Sequence, residues 1–278
     1  KLKKFFKNLN EKQGEITFKG FDFDSKKIKK NYIFFAIKGT KFDGNNFIEN
    51  AIKNGAKIII TNKFNTGIIN GVVYIKVSDT RLALSSFLSK FYNKKPNNII
   101  GVTGTNGKSS IANFYYQILK LNKKKVASIG TLGVKSDTIN LKLDNTTADI
   151  ITTNKLLFKL KSKKIENVIL EASSHGLEQK RLHGINFNTS IFTNLSRDHL
   201  DYHKNFENYL NSKLILFKNL TKKKGNIIFD NDIKFSKILK KIAKDKKLNL
   251  LNIGTNKSNF KLISIKNLNN SQLVTFLY

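Results

Sequence analysis

Two apolar rhythms alternate along this chain. Runs rich in β-branched and aromatic residues at 31–37, 57–61 and 72–77 predict buried strands. A short helix is predicted over 47–55, closing at Gly55. At 80–92, Leu82, Leu84, Phe87, Leu88 and Phe91 recur at three- and four-residue steps, which predicts a longer helix. From residue 99 onward, predicted strands (99–103, 126–129, 168–172, 190–194, 227–229, 248–253) interleave with predicted helices (108–121, 152–161, 206–220, 233–244). Such alternation implies a mainly parallel sheet flanked by helices. Two last strands, 260–265 and 272–278, are joined by a polar turn at 267–271.

The single proline, Pro96, sits in the polar stretch Asn93-Lys94-Lys95-Pro96-Asn97-Asn98 and marks a domain boundary near residue 95. The expected architecture is therefore α/β: a small N-terminal α/β domain over 1–94, then a phosphate-loop (P-loop) central domain over 95–278. A length of 278 residues suits about two domains. No apolar run reaches the roughly 18 residues that span a bilayer. The basic start at Lys1–Lys7 has no long apolar stretch behind it, as a signal peptide would. A cytoplasmic monomer without membrane insertion is expected. Cysteine is absent, which removes disulfides and thiolate metal sites. The chain begins at Lys1, contains no Met and stops on an apolar strand, as expected of a piece of a longer protein.

The formal charge of +32 raises a nucleic-acid or anionic-surface partner. Lysine, however, is spread over the whole sequence, and arginine occurs only at Arg81, Arg181 and Arg197. Nucleic-acid surfaces favour clustered, bidentate arginine. A compositional bias accounts for the charge more simply, and no specific nucleic acid is expected.

The strongest chemical signal is Gly101-Val102-Thr103-Gly104-Thr105-Asn106-Gly107-Lys108-Ser109-Ser110, a buried strand, a glycine-rich turn and a helix start. Glycines let the backbone approach phosphate oxygens, and the helix N-terminus offers free N–H groups to an anion. Lys108 would reach the β- and γ-phosphates of ATP, and Ser109 would offer its hydroxyl to Mg²⁺. The first glycine of the usual pattern falls at Val102 instead.

Glu171 ends a predicted strand, and strand C-termini face the ligand crevice of open α/β sheets. It is either a Mg²⁺ ligand or a solvated carboxylate. Residues 193–203 hold two His, two Asp and Arg197 after another strand, a constellation that suits a site or a structural His–Asp pair. In helix 206–220, Lys213 interrupts the apolar stripe of Phe206, Tyr209, Leu210, Leu216, Phe217 and Leu220. A buried lysine there is paired, neutralised or modified, unless its stem covers apolar surface and its head reaches water.

Together these segments resemble the Mur ligase family. The loop Gly104–Ser110 looks like its ATP loop, and Glu171-Ala172-Ser173-Ser174-His175-Gly176-Leu177 with Gln179 and Arg181 looks like its central motif. Phe192–His203 is a near-continuous match, and 209–217 resembles the segment that carries a carbamylated lysine. The resemblance implies that Gly104, Thr105, Asn106, Gly107, Lys108, Ser109 and Ser110 bind ATP. It implies that Ser109, Glu171, His199 and carbamylated Lys213 serve Mg²⁺, with Lys108, Lys213 and His199 catalytic. It implies that Asn145, Thr146, Thr147, Ser173, Gln179 and Arg181 contact a UDP-N-acetylmuramoyl dipeptide. In the first domain, Phe23-Asp24-Ser25 and Thr40-Lys41-Phe42 look like uridine-binding segments.

The implied reaction activates a carboxylate as an acyl phosphate, which the amine of a diamino acid (diaminopimelate or lysine) then attacks. The family usually has proline after the Thr-Thr pair, where this chain has Ala148. No third domain is seen, so weak or moderate nucleotide binding without turnover is expected. A folylpolyglutamate-synthase-like ligase, a basic P-loop nucleic-acid protein and a non-catalytic remnant are the competing readings.

Overall fold

In the computed structural model, residues 1–7, 9–39, 42–255 and 257–278 are described. The backbone divides into two units, Lys1–Asn93 and Lys94–Tyr278.

The first unit is built on a five-stranded sheet. Its strands are β1 (Gly20–Asp22), β2 (Tyr32–Phe35), β3 (Ala56–Thr61), β4 (Gly67–Ile69) and β5 (Val72–Lys76), in the order β1-β2-β3-β5-β4. All neighbours are parallel except the β4–β5 pair. The central strands are near-continuous apolar runs, because a parallel strand is covered on both faces. Helices α1 (Glu11–Glu15), α2 (Ile48–Lys53) and α3 (Thr80–Phe91) accompany the sheet. Asp79 caps α3 by accepting from the backbone N–H of Arg81 and Leu82 at 2.8 and 3.0 Å. Buried Phe87 of α3 gathers Phe5, Phe21 and Phe35 at ring separations of 4.6, 4.8 and 5.4 Å.

The second unit carries β6 (Asn98–Thr103), β7 (Val126–Gly130), β8 (Gly133–Ser136), β9 (Asn140–Leu141) and β10 (Asn167–Glu171). It continues with β11 (Phe187–Phe192), β12 (Thr221–Asp230), β13 (Asn249–Gly254), β14 (Phe260–Asn267) and β15 (Gln272–Leu277). Their order is β15-β14-β13-β12-β11-β6-β10-β7-β8-β9. The run from β7 to β14 is parallel, and the β7–β8–β9 and β14–β15 ends are antiparallel. The helices are α4 (Lys108–Leu121), α5 (Ile150–Ser162), α6 (Ser174–Glu178), α7 (Leu200–His203), α8 (Phe206–Ile215) and α9 (Ser236–Lys246). The parallel pairing of β6 with both β10 and β11 sets the loops after these strands, and after β7, along one edge of the sheet.

The expected elements recur with shifted bounds. The short apolar run 227–229 is only the buried end of ten-residue β12, whose exposed Lys222–Lys224 hid the rest. Helix 206–220 is α8 followed by a wider π turn, Leu216–Leu220, which runs straight into β12. Among the described residues no helix is long and apolar enough to cross a membrane.

α5 starts where Asp149 offers a cap. Its Oδ1 accepts from the N–H groups of Ile151 and Thr152, and its Oδ2 from the Thr152 hydroxyl at 2.6 Å. Asp149→Ala is expected to cost about 1 kcal/mol in urea unfolding. An unchanged midpoint would contradict the cap.

Candidate active site

The turn after β6 forces the backbone through conformations that suit glycine. Gly104 has φ of 149° and Gly107 of 82°. A Cβ on Gly104 would overlap the Thr193 hydroxyl and approach the Asn194 backbone. The loop after β11 clasps this turn: Thr105 N–H donates to Asn194 O at 3.0 Å, Asn106 N–H to Asn194 Oδ1 at 2.9 Å, and Thr193 Oγ1 to Asn106 O at 2.6 Å. Helix α4 begins at Lys108, with its N-terminus aimed at the same turn.

Lys108 folds back over the loop. Its Nζ donates to the carbonyls of Gly104 at 2.9 Å and Thr105 at 2.7 Å. Burial lowers its pKa, and the charges of Glu171 and Asp198 oppose the shift. Lys213 arrives from α8 and donates to the same Gly104 carbonyl at 2.8 Å, with its Nζ 4.4 Å from the Tyr209 ring centroid. Only 1% of Lys213 is exposed. Burial, followed by the charge of Lys108, pulls its pKa down to about 7, with Asp198 opposing. The side chain is thus buried at its tip, which excludes the snorkelling alternative.

Glu171 is 2% exposed. Its Oε2 accepts from Ser109 Oγ at 2.9 Å and Thr131 Oγ1 at 3.1 Å, and its Oε1 from Thr131 N–H at 3.0 Å. Gly130 leaves room for this carboxylate, since a Cβ there would overlap it. Glu171 is therefore no solvated strand-end residue. The Glu171 carboxylate and the Ser109 and Thr131 hydroxyls form an all-oxygen set at a helix N-terminus, which suits a hard divalent cation. Among the described residues no group of three His, Cys, Asp or Glu stands ready to hold a metal. A Mg²⁺ ion here would complete its shell with phosphate and water oxygens, as that ion usually does. The donor chemistry fits on those terms.

The remaining candidates fall into three groups. Thr147, Ser173, Gln179 and Arg181 form one network: Thr147 Oγ1 donates to Glu171 O at 2.8 Å, Ser173 N–H donates to Thr147 Oγ1 at 2.9 Å, and Arg181 Nη1 donates to Thr147 O at 2.8 Å. Gln179 Oε1 accepts from Arg181 Nε and Nη2. Thr146 joins through Thr131 Oγ1 at 3.0 Å, and Asn145 precedes it in the chain. His199, in the left-handed region at φ 52°, has its ring 5.0 Å from His175 and 6.2 Å from Tyr209. Its Nε2 lies 3.4 Å from Asp198 Oδ2, so the structural His–Asp pair is present as well. Phe23, Ser25 and Phe42 lie in the first unit, where Ser25 is buried and Phe42 is 70% exposed. Thr40 and Lys41 lie outside the described residues.

Three participants were not singled out from the sequence. Thr131 holds Glu171. Tyr209 joins the loop through its hydroxyl, 3.1 Å from Thr105 Oγ1, and faces Lys213 with its ring. His203 is buried beside that ring at 5.1 Å, with Nδ1 3.0 Å from Glu178 Oε2 but out of line for a hydrogen bond. Thr131 was findable, because it follows a strand that ends at the ligand edge.

The chain is similar to known proteins in sequence and fold. The profile described as "Mur ligase middle domain" matches residues 102–277, and "Mur ligase family, catalytic domain" matches 17–92. The chain is 41% identical over 252 residues to the UDP-N-acetylmuramoyl-L-alanyl-D-glutamate--2,6-diaminopimelate ligase of Rickettsia conorii, covering 89% of this chain and 52% of that protein. A solved structure of a ligase with that name superposes with a TM-score of 0.81 at 28% identity, covering 97% of this chain and 55% of that one. Folylpolyglutamate synthase of Mycobacterium tuberculosis, solved with ADP, shares only the fold, with a TM-score of 0.56 at 12% identity over 70% of this chain and 50% of that one. The chain spans about half the length of the curated relatives it matches. On the strength of the middle-domain match across most of the second unit, the chain belongs to the Mur ligase family.

Proposed function

We propose that this chain supplies the nucleotide- and UDP-sugar-binding part of an ATP-dependent ligase that joins a diamino acid to UDP-N-acetylmuramoyl-L-alanyl-D-glutamate in cell-wall peptide synthesis. The convergence of Lys108 and Lys213 on the Gly104 carbonyl carries the reading, because it places two cations, a glycine turn and a helix N-terminus at one point. The named relatives support the choice of substrate over the folylpolyglutamate branch.

In this reading the backbone N–H groups at the start of α4 bind the polyphosphate of ATP, and Lys108 turns from its loop carbonyls to the phosphates. Ser109 and Glu171 hold Mg²⁺, with His199 at the margin. The metal, when bound, offsets negative charge on the transferring phosphoryl group. Thr147, Ser173, Gln179 and Arg181 orient the dipeptide, and Phe23, Ser25, Thr40, Lys41 and Phe42 the uridine. The substrate carboxylate attacks the γ-phosphorus and ADP leaves. The incoming amine then attacks the acyl phosphate, loses a proton and expels phosphate.

A lysine with a pKa of about 7 presents much neutral amine near neutral pH. In this reading its Nζ adds to carbon dioxide and releases one proton. The carbamate turns repulsion between Lys213 and Lys108 into attraction, and it supplies oxygen donors for the Mg²⁺ that the family resemblance implies.

Calorimetric titration with Mg·ATP, with and without the UDP-sugar dipeptide, tests the proposal. Lys108→Ala is expected to weaken nucleotide binding at least tenfold while the UDP-sugar dipeptide still raises the thermal midpoint. Equal nucleotide affinity in both proteins would remove the loop assignment, and no midpoint shift with the dipeptide would remove the substrate.

A further inference from the structure

Lysines in the second unit are not distributed at random. The parallel strands β7, β10, β6, β12 and β13 all enter the sheet at the edge opposite the nucleotide loop. Their lead-in segments carry Lys123–Lys125, Lys163–Lys164, Lys94 and Lys246–Lys247, and the first half of β12 itself carries Lys222–Lys224, all exposed. Backbone contacts join these segments: Lys224 N–H donates to Lys247 O at 3.2 Å, and Asn98 N–H to Glu166 O at 2.9 Å. Asn167 Nδ2 donates to Lys125 O at 3.2 Å. Neighbouring strands lie about 4.8 Å apart, so the lysine edge extends for roughly 20–25 Å.

Acidic residues are more numerous at the other end: Glu171, Glu178, Asp198, Asp201, Asp230 and Asp232 end or follow strands at the nucleotide edge, against Glu166, Asp137 and Asp245 on the lysine edge, where Glu166 pairs with Lys161 and Asp137 with Lys120. Lys123, Lys164 and Lys247 stand just past the ends of α4, α5 and α9 with φ of 57°, 60° and 53°. That position ordinarily favours glycine. The chain places a cation there instead, at the negative end of a helix dipole, as it also does at Lys180 past α6 and Lys204 past α7 on the nucleotide edge.

A second observation selects the partner. On α4, Phe114, Ile118 and Leu121 are 60%, 57% and 83% exposed at steps of four and three residues. They form an apolar stripe that ends among Lys120, Lys123 and Lys124. The unit's arginines, Arg181 and Arg197, lie on the other edge. Isolated point cations beside exposed aliphatic side chains suit lipid headgroups, where the cations meet phosphate and the aliphatics enter the acyl boundary. Nucleic-acid phosphates have no use for Leu121 and favour bidentate arginine.

We propose that the lysine edge of the second unit, together with Leu121 and Ile118, is a docking surface for an anionic phospholipid bilayer. The protein would rest on the membrane without crossing it, with the nucleotide edge turned away from the lipid.

Co-sedimentation with vesicles of phosphatidylglycerol and phosphatidylcholine, against phosphatidylcholine alone, tests this at several salt concentrations. Binding is expected only to the anionic vesicles and should fall as salt rises. Lys123→Glu/Lys124→Glu/Lys125→Glu should weaken partition by roughly a hundredfold or more, and Leu121→Ser by several-fold. Lys12→Glu/Lys53→Glu/Lys57→Glu, with the same change in net charge in the first unit, should leave most of the binding. Thermal melts confirm that each variant is folded, and an unfolded triple variant is replaced by the three single reversals. The proposal is overturned if anionic vesicles do not bind, or if both triple variants lose binding equally. It is also overturned if Leu121→Ser is without effect while duplex RNA binds more tightly than vesicles and is lost with the same lysines.

Discussion

Gly104→Ala should lose nucleotide affinity by more than tenfold and destabilise the second unit by about 2–4 kcal/mol. Two costs combine. The φ of 149° lies where a side chain strains the backbone, and the added Cβ would overlap Thr193 Oγ1. Thr193 cannot yield freely, because its hydroxyl donates to Asn106 O within the same turn. The loop would have to part from the strand that clasps it, carrying the Gly104 carbonyl away from Lys108 and Lys213. Gly67→Ala is the matched control: a Cβ there meets nothing within 4 Å. Urea unfolding and ATP titration measure both quantities. A Gly104→Ala protein indistinguishable from the control would show that the turn is not strained as described.

Lys213→Met should make the protein more stable and abolish the proposed carbamate. The buried ammonium has a pKa pulled to about 7 from 10.5. Between those values the unfolded chain keeps a proton that the native state sheds, so stability rises with pH across the window. Below about pH 7 both states are protonated and the cost of burying charge is present in full. Methionine fills similar volume without charge. In carbon-dioxide-free buffer at pH 6 it is expected to stabilise by about 1–3 kcal/mol and to flatten the rise in stability between pH 7 and 10. In ¹³C-bicarbonate the parent protein should show a carbamate resonance that the variant lacks. A destabilised variant would show that the Gly104 carbonyl and Tyr209 ring satisfy the cation, and a pH slope left intact in the variant would show that another group carries it.

Much of this was legible in the sequence. Buried parallel strands announce themselves as apolar runs, and the turn Gly104–Gly107 between strand and helix fixed the loop. The misses have physical causes. The early half of β12 carries exposed Lys222–Lys224 across a register shift against β11, so no apolar run marks it. The hairpin strands β8 and β9 are short: β8 buries Val134 but alternates with polar Lys135 and Ser136, and two-residue β9 is exposed and held by pairing with β8. His203 takes its role from neighbours distant in sequence, and no local pattern encodes that, whereas Thr131 was marked only by its place after β7. Lys213 was ambiguous because periodicity gives a helix face but not depth. Its contact with a carbonyl 109 residues earlier in the chain resolved it.

The absence of a connecting loop between α8 and β12 has a mechanical consequence. The π turn Leu216–Leu220 passes directly into the strand, and Thr221 Oγ1 ties back to Leu216 O at 2.9 Å. Helical phase and strand register are therefore geared to one another. One residue inserted between 206 and 212 would swing Lys213 by about 100° around the helix axis or push β12 one step along its partners, exchanging its inner and outer faces. This joint behaves as a rigid crank whose length sets where the Lys213 amine points.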